Sequence, residues 1–381
     1  MSDKARTWVE VDIDALKHNI KNIRNKTAKG AKIIAVVKAD AYGHGAVKCA
    51  EVLLKNGADM LAVACADEAI ILRKYFPKTE ILLLGSSGYS DYEKIILNNI
   101  TASLSSYEEA EQFSKYASLL HKDVKVHIKI DSGMGRLGFL SDKLSFDETI
   151  SQIKKINKLD RVKIDGVFTH FSCADADYEY TKIQFERFIG ICNKLNDIGI
   201  KIKYRHCSNS AAIALYPQFH LDAVRPGIIL YGYHPSDLTK NEIDIKPVLS
   251  VKSRVTHVKN LPKDSYVSYA NTYKTNETQK IATIPIGYAD GFLRGNFSKA
   301  NIIYKGKLLP VVGRICMDQC MINATGVNNI DVGDVVTVLG SDGGVKITAD
   351  DLADNLQTIS YEILCLLSKR LPRIYVNDEK I

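Results

Sequence analysis

The sequence predicts an α/β plus β fold: an N-terminal (β/α)8 barrel followed by a mainly β C-terminal domain. Three observations carry this. Short apolar runs, each followed by a helix-like segment, recur eight times within about 230 residues, the spacing of a parallel barrel. No glycine fingerprint follows the first run, which speaks against two doubly wound halves. After Gly232 the texture changes to period-two alternation with turn signals, and long helical stretches are missing until residue 350. The expected domains are residues 1–240 and 241–381, with the strand at 7–11 a candidate to join the second.

In order along the chain, Asp14 can cap a helix whose apolar residues Leu16, Ile20 and Ile23 share one face, and Gly30 closes it. The first barrel strand is 33–37, five apolar residues in a row, as a strand buried on both faces requires. Further strands are read at 60–65, 81–84, 101–104, 124–131, 162–170, 201–206 and 223–226. The helical segments between them end at breakers such as Gly57 and Pro77. Beyond Gly232, alternation at 247–258, 280–286, 302–312, 317–322 and 332–339 reads as strands, and 350–371 as one long helix.

Composition narrows the function. Hydrophobic residues make up 46% of 381, enough for full cores, and 51 basic against 44 acidic residues is a mild imbalance. The lysines are scattered, with no basic–aromatic stripe, so a small anionic ligand is expected rather than nucleic acid. No apolar run approaches a membrane span, and the N-terminus lacks a signal-peptide core. Eight cysteines without a CxxC pair or a His/Cys zinc set read as thiols in a reducing cytoplasm, and no metal is expected.

Barrel enzymes carry their chemistry at the carboxyl ends of the strands. Those ends present Lys38, the stretch from Lys129 to Arg136, His170, His206 with Asn209 and Ser210, and Arg225 with Gly227. A lysine at the mouth of a buried strand suits Schiff-base chemistry, because desolvation frees its amine; a snorkelling lysine is the plain alternative. Singly the others are equally plain. His170 could be a core histidine, Ser210 a helix cap, and Arg225 the ion-pair partner of Asp222. Together they bring an amine, hydroxyls, helix N-termini and two arginines to one face.

These residues lie in motifs that resemble bacterial alanine racemases, fold-type III enzymes dependent on pyridoxal phosphate. The likeness starts at Val37-Lys38-Ala39-Asp40-Ala41-Tyr42-Gly43-His44-Gly45 and continues at Lys129-Ile130-Asp131-Ser132-Gly133-Met134-Gly135-Arg136. It runs through Thr169-His170-Phe171, His206-Cys207-Ser208-Asn209-Ser210 and Arg225-Pro226-Gly227. In the second domain it covers Val267-Ser268-Tyr269, Pro285-Ile286-Gly287-Tyr288-Ala289-Asp290-Gly291, Gly313-Arg314-Ile315-Cys316-Met317-Asp318-Gln319 and Tyr361-Glu362.

The resemblance implies a two-base racemase interconverting L- and D-alanine, supplying D-alanine for peptidoglycan, and working as a homodimer with shared sites. Lys38 would anchor pyridoxal 5'-phosphate and serve as the D-face base, and Tyr269 from the partner subunit would act on the L-enantiomer. Tyr42, Asn209, Ser210, Gly227, Ile228 and Tyr361 would surround the phosphate, with His170 beside the ring and Arg225 facing its nitrogen. Arg136 and Met317 would help to place the substrate, and Lys129 matches a lysine that is carbamylated in many members. Tyr266, Tyr269 and Tyr273 lie close together in sequence, and only the family motif selects Tyr269. Ala270 stands where many relatives have glycine.

Overall fold

A computed structural model describes residues 5–378. The chain forms two compact units, one of residues 15–41 and 45–246, the other of 5–14, 42–44 and 247–378.

In the first unit, parallel strands run in the order Ile81–Leu83, Met60–Val63, Lys32–Val36, Ala223–Val224, Tyr204–His206, Val162–Phe168, Val124–Asp131, Ala102–Leu104. A parallel bridge between Leu82 and Thr101, with Leu83 N donating to Thr101 O at 2.9 Å, links the two ends of that row and closes the barrel. Every residue of Met60–Val63, Ile81–Leu83 and Ala102–Leu104 is buried, which is why these strands read as continuous apolar runs. The helices follow the predicted alternation, and Ser106 and Asp177 cap two of them by accepting from Glu109 N and Tyr180 N.

Strand ends differ from expectation. The seventh strand covers only Tyr204–His206 and the eighth only Ala223–Val224, because the chain leaves the barrel to form the turns that carry Asn209 and Arg225. The first strand stops at Val36, and the segment after Lys38 is a strained turn. Ala39, Asp40 and Ala41 have φ and ψ between 46° and 55°, and Tyr42 has φ 52°, so four consecutive non-glycine residues make a left-handed turn. Such a turn costs roughly 1–2 kcal/mol per residue and must be held by its surroundings. Glu68 holds its start, one carboxylate oxygen accepting from Ala39 N at 2.6 Å and the other from Ala64 N at 2.8 Å. Asp40 closes it, accepting from Ala46 N at 2.7 Å through its side chain and from Gly45 N at 2.9 Å through its carbonyl.

The second unit is built on a largely antiparallel sheet ordered His257–Leu261, Gln279–Ile284, Cys320–Asn323, Lys307–Val312, Asn301–Tyr304, Val335–Asp342, Leu249–Arg254, Thr7–Asp12, Arg373–Val376. Thr7–Asp12 pairs antiparallel with Leu249–Arg254 and parallel with Arg373–Val376. Burial alternates along Leu249–Arg254, the half-buried pattern that period-two sequence encodes. The single helix expected over 350–371 is instead two, Ala349–Leu356 and Ser360–Cys365. Thr348 and Asp351 form a capping box at the first, which ends on Gln357 in the left-handed conformation (φ 56°).

A buried carboxylate organises the loops of this unit. Asp290, fully buried, accepts from Arg6 Nη2 at 2.9 Å, Arg370 Nε at 2.7 Å and Gly287 N at 3.0 Å. Arg370 continues to Asp318 at 2.7 Å, and Ala289 N donates to Met317 O at 3.0 Å. A Cβ on Gly287 would lie 2.3 Å from Cys316 O, so only glycine fits against that strand of chain. Asp290→Ala should destabilise this unit by about 2–3 kcal/mol, the scale of lost buried bonds to charged groups, measured by urea denaturation.

Candidate active site

The barrel unit brings its predicted residues to one end. Lys38 lies just past the first strand, whose Val36 carbonyl accepts from Tyr231 Oη at 2.9 Å. Asp131 ends the strand Val124–Asp131, and its Oδ1 accepts from the amides of Gly133, Met134 and Gly135 at 2.9, 2.9 and 3.1 Å. These bonds shape the loop that carries Arg136, which is exposed and forms no hydrogen bond or ion pair among the described residues. The helix Tyr178–Asp197 supports the same region from outside. Tyr180 Oη donates to Gly133 O at 2.8 Å, Arg187 Nη1 to Ser132 O at 3.3 Å, and fully buried Gln184 accepts from Ser172 N at 3.0 Å.

Arg225 is the centre of the site. It is buried, and its guanidinium donates to His206 Nδ1 at 2.6 Å, Thr169 O at 2.7 Å, Cys207 O at 3.2 Å and His170 Nδ1 at 3.3 Å. Its Nε–H has no acceptor among the described residues. The suspected pair with Asp222 does not form, because Asp222 is bound by Arg205 at 2.7 Å. Burial pushes Arg225 down to about 10, so it is still a cation at neutral pH. Burial, and then the charge of Arg225, hold His170 and His206 well below their ordinary range, so both rings are neutral. Phe168 underlies the cluster: its ring stacks on His206 at 4.9 Å, with Arg225 Cζ 5.4 Å and Lys129 Nζ 5.5 Å from its centroid.

Lys129 is buried with its Nζ donating to Ile130 O at 2.9 Å. Burial pulls its amine down to about 7; Arg225 and Arg136 push the same way, and Asp131 opposes them. The unfolded amine titrates near 10.4. Between those values the unfolded chain holds the extra proton, so this group makes stability rise with pH from about 7 to about 10. The stability of wild type minus that of Lys129→Met, followed by urea denaturation, should therefore grow with pH over that window.

At the far turns, Asn209 caps the short helix Ser210–Leu215, its side chain accepting from Ala212 N at 3.1 Å. Ser210 Oγ accepts from Gly227 N at 2.9 Å, which leaves its own O–H to donate elsewhere. Gly227 is thus engaged within the chain, whereas the amides of Ser210, Ala211 and Ile228 find no acceptor among the described residues.

The remaining predicted residues belong to the β unit. Tyr42 is buried with its ring centroid 6.1 Å from that of Tyr361, and burial raises its phenol. A Cβ on neighbouring Gly43 (φ 83°) would fall 2.3 Å from Leu364 O. Met317 is exposed, and Tyr269 is 66% exposed in the single chain. Tyr269 is presented by a strained turn: Ser268 has φ 66° and ψ −170°, Ala270 φ 61° and Asn271 φ 52°. Ser268 Oγ anchors the turn on Arg314 O at 2.6 Å. Ala270→Gly should stabilise by about 0.5 kcal/mol, relief of the left-handed strain outweighing the added freedom of the unfolded chain; a thermal melt reads it.

Glu68, His127, Phe168, Gln184 and Asp290 were not among the residues predicted. A histidine inside the buried strand Val124–Asp131, two places before Lys129 and hence on the same face, was the one signal available. The others act through tertiary contacts that spacing does not encode. Among the described residues there is no cluster fit for a metal ion and no helix long and apolar enough to cross a membrane.

A parallel barrel whose strand ends gather an amine, buried guanidinium and unpaired amides is the frame of an enzyme that binds a small anionic group. The family model "Alanine racemase, N-terminal domain" matches residues 11–235, and "Alanine racemase, C-terminal domain" matches 248–375. The chain belongs to the alanine racemase family. It is 47% identical to the alanine racemase of Clostridium tetani over 98% of this chain and 96% of that one. It is equally similar, 47%, to that of Methanococcus maripaludis, covering 97% and 98%. Among solved structures, alanine racemase from Clostridium difficile 630 superposes with a TM-score of 0.94 at 41% identity, covering 99% and 97%. The Bacillus anthracis enzyme with bound L-Ala-P gives 0.91 at 34%, covering 98% and 95%.

Proposed function

We propose that this chain interconverts L- and D-alanine by a two-base mechanism, using pyridoxal 5'-phosphate held at the barrel mouth and supplying D-alanine for peptidoglycan synthesis. The observation that carries the cofactor reading is the donor set. Lys38, Lys129, Arg136 and Arg225 lie at the strand ends, and the acid among them, Asp131, is already satisfied by three amides, as Glu68 and Asp40 beside Lys38 are by backbone amides. A free Nε–H on buried Arg225 and unpaired amides at Ser210, Ala211 and Ile228 call for an acceptor nitrogen and a phosphate, which a phosphorylated pyridine supplies together.

In this reading Lys38 anchors the cofactor, and Ser210 Oγ–H and the Ile228 amide bind the phosphate with Tyr42 and Tyr361. Asn209 and Gly227 act indirectly, by capping the helix and fixing the Ser210 hydroxyl. His170 packs beside the ring. When bound, pyridoxal phosphate supplies the electron-withdrawing ring that acidifies the substrate Cα–H. Arg225 has only donors, so it hydrogen-bonds the ring nitrogen without protonating it and keeps that electron demand moderate. Lys38 moves the proton on one face of Cα and Tyr269, from a second copy of the chain, on the other. Arg136 and the Met317 backbone orient the carboxylate. Lys129, where carbamylated, would steady Arg136.

A panel of alanine, serine and lysine, scored for racemisation by the purified protein, tests the reading. Racemisation of alanine with one equivalent of bound pyridoxal phosphate is expected. Protein purified without cofactor, unable to take it up and inert toward alanine, would overturn it.

A further inference from the structure

Behind Arg225 the barrel interior holds two more buried polar side chains that the racemisation chemistry does not use. Barrel interiors are ordinarily filled by branched aliphatic residues. Here His206 Nε2 lies 2.8 Å from His127 Nδ1, and both rings are fully buried. A run of three groups results, from Arg225 Nη1 to His206 Nδ1 at 2.6 Å and on to His127. Its proton positions are set by valence alone. A guanidinium offers only donors, so His206 Nδ1 accepts and the His206 proton sits on Nε2. His127 Nδ1 must then accept in turn, and the His127 proton sits on its own Nε2. That Nε2 is buried and has no partner, a cost of about 1–3 kcal/mol that a leucine would not incur.

The backbone is shaped around this histidine. Gly166 stands beside it in register, and a Cβ there would lie 2.7 Å from three atoms of the His127 ring. The strand pairing shifts register between Val126 and His127 to bring this about. Tyr204 and Phe168 complete an aromatic box, with centroids 6.0 and 6.5 Å from the imidazole.

We propose that His127 is a positioning residue for Arg225, acting through His206: by accepting from His206 Nε2–H it holds that ring with Nδ1 turned to the guanidinium, and so aims the guanidinium at the cofactor nitrogen. The inference rests on the reading that Arg225 faces a bound pyridine. Without an acceptor at 127, His206 can move its proton to Nδ1 and turn away from Arg225, and the guanidinium loses its shortest bond. The protein keeps its fold and its cofactor but holds the ring nitrogen loosely.

The test compares wild-type, His127→Leu and His127→Gln holoenzymes. Leucine fits an apolar box without accepting, whereas the glutamine amide oxygen can accept from His206. Nitrogen-15 NMR of the histidine rings should show His206 in the single tautomer protonated at Nε2 in wild type and His127→Gln, and lose that pattern in His127→Leu. In His127→Leu the bound-cofactor absorption band should shift, and kcat should fall by up to about tenfold, the lower end for outer-layer partners since His127 stands behind both His206 and Arg225, with cofactor content unchanged. His127→Gln should recover both. A leucine variant with the wild-type His206 tautomer, band and kcat would overturn the proposal, as would a glutamine variant as impaired as leucine. Wild-type protein that bound no pyridoxal phosphate would defeat the cofactor reading instead, and the tautomer measurement would still decide whether His127 sets His206.

Discussion

Lys38→Ala is expected to lose racemisation by more than about 10⁴-fold, because in the proposed mechanism it removes a base and the covalent anchor together. Borohydride treatment of wild type should fix pyridoxal phosphate to the peptide containing Lys38, read by mass spectrometry, and the variant should show no such adduct. The surroundings explain why no neighbour can substitute. Lys129, the buried lysine at this end, is committed to the Ile130 carbonyl at 2.9 Å. The backbone next to Lys38 is held by Glu68 and runs into four consecutive left-handed residues, so the strand end that carries the amine is fixed in place. A variant that kept full activity would remove the amine from the chemistry.

Much of this is legible in the chain, and for a definite reason. Parallel strands buried on both faces must be apolar along their length, so runs such as 60–63 and 81–83 announce themselves, and with them the positions just past their ends. Lys38, His170, Ser210 and Arg225 are found that way. The partner of Arg225 is not. Asp222 is three residues away in sequence, but it is claimed by Arg205, and neutral histidines take its place. A chain cannot announce a pairing set by barrel closure. The left-handed turn after Lys38 is equally hidden, since neither alanine nor tyrosine favours it and it is held by bonds such as those of Glu68 and Asp40. The break at Gln357 has the same character, a left-handed residue inside an otherwise helical pattern.

The remaining prediction concerns Tyr269 and tests the shared site. Tyr269→Phe retains the ring and loses only the hydroxyl, so cofactor should still bind. Racemisation should fall by about 10²–10⁴, the usual worth of a positioned acid–base group. The loss should be one-sided: in deuterium oxide, proton NMR should show D-alanine still exchanging its α-proton through Lys38, while exchange from L-alanine nearly stops. Equal loss for both enantiomers would remove Tyr269 from its proposed face. A tyrosine 66% exposed, on a turn that holds Ser268 at φ 66° and ψ −170°, is strained for little gain within its own chain. The strain has a use if that ring completes a site on a second copy. Mixing discriminates between the two. Lys38→Ala and Tyr269→Phe chains should each racemise little alone, yet a mixed dimer with shared sites has one site in which both residues are intact. Random pairing makes half the dimers mixed, so activity should recover to about a quarter of wild type. If both residues served their own chain, every site would lack one of them, and mixing would restore nothing.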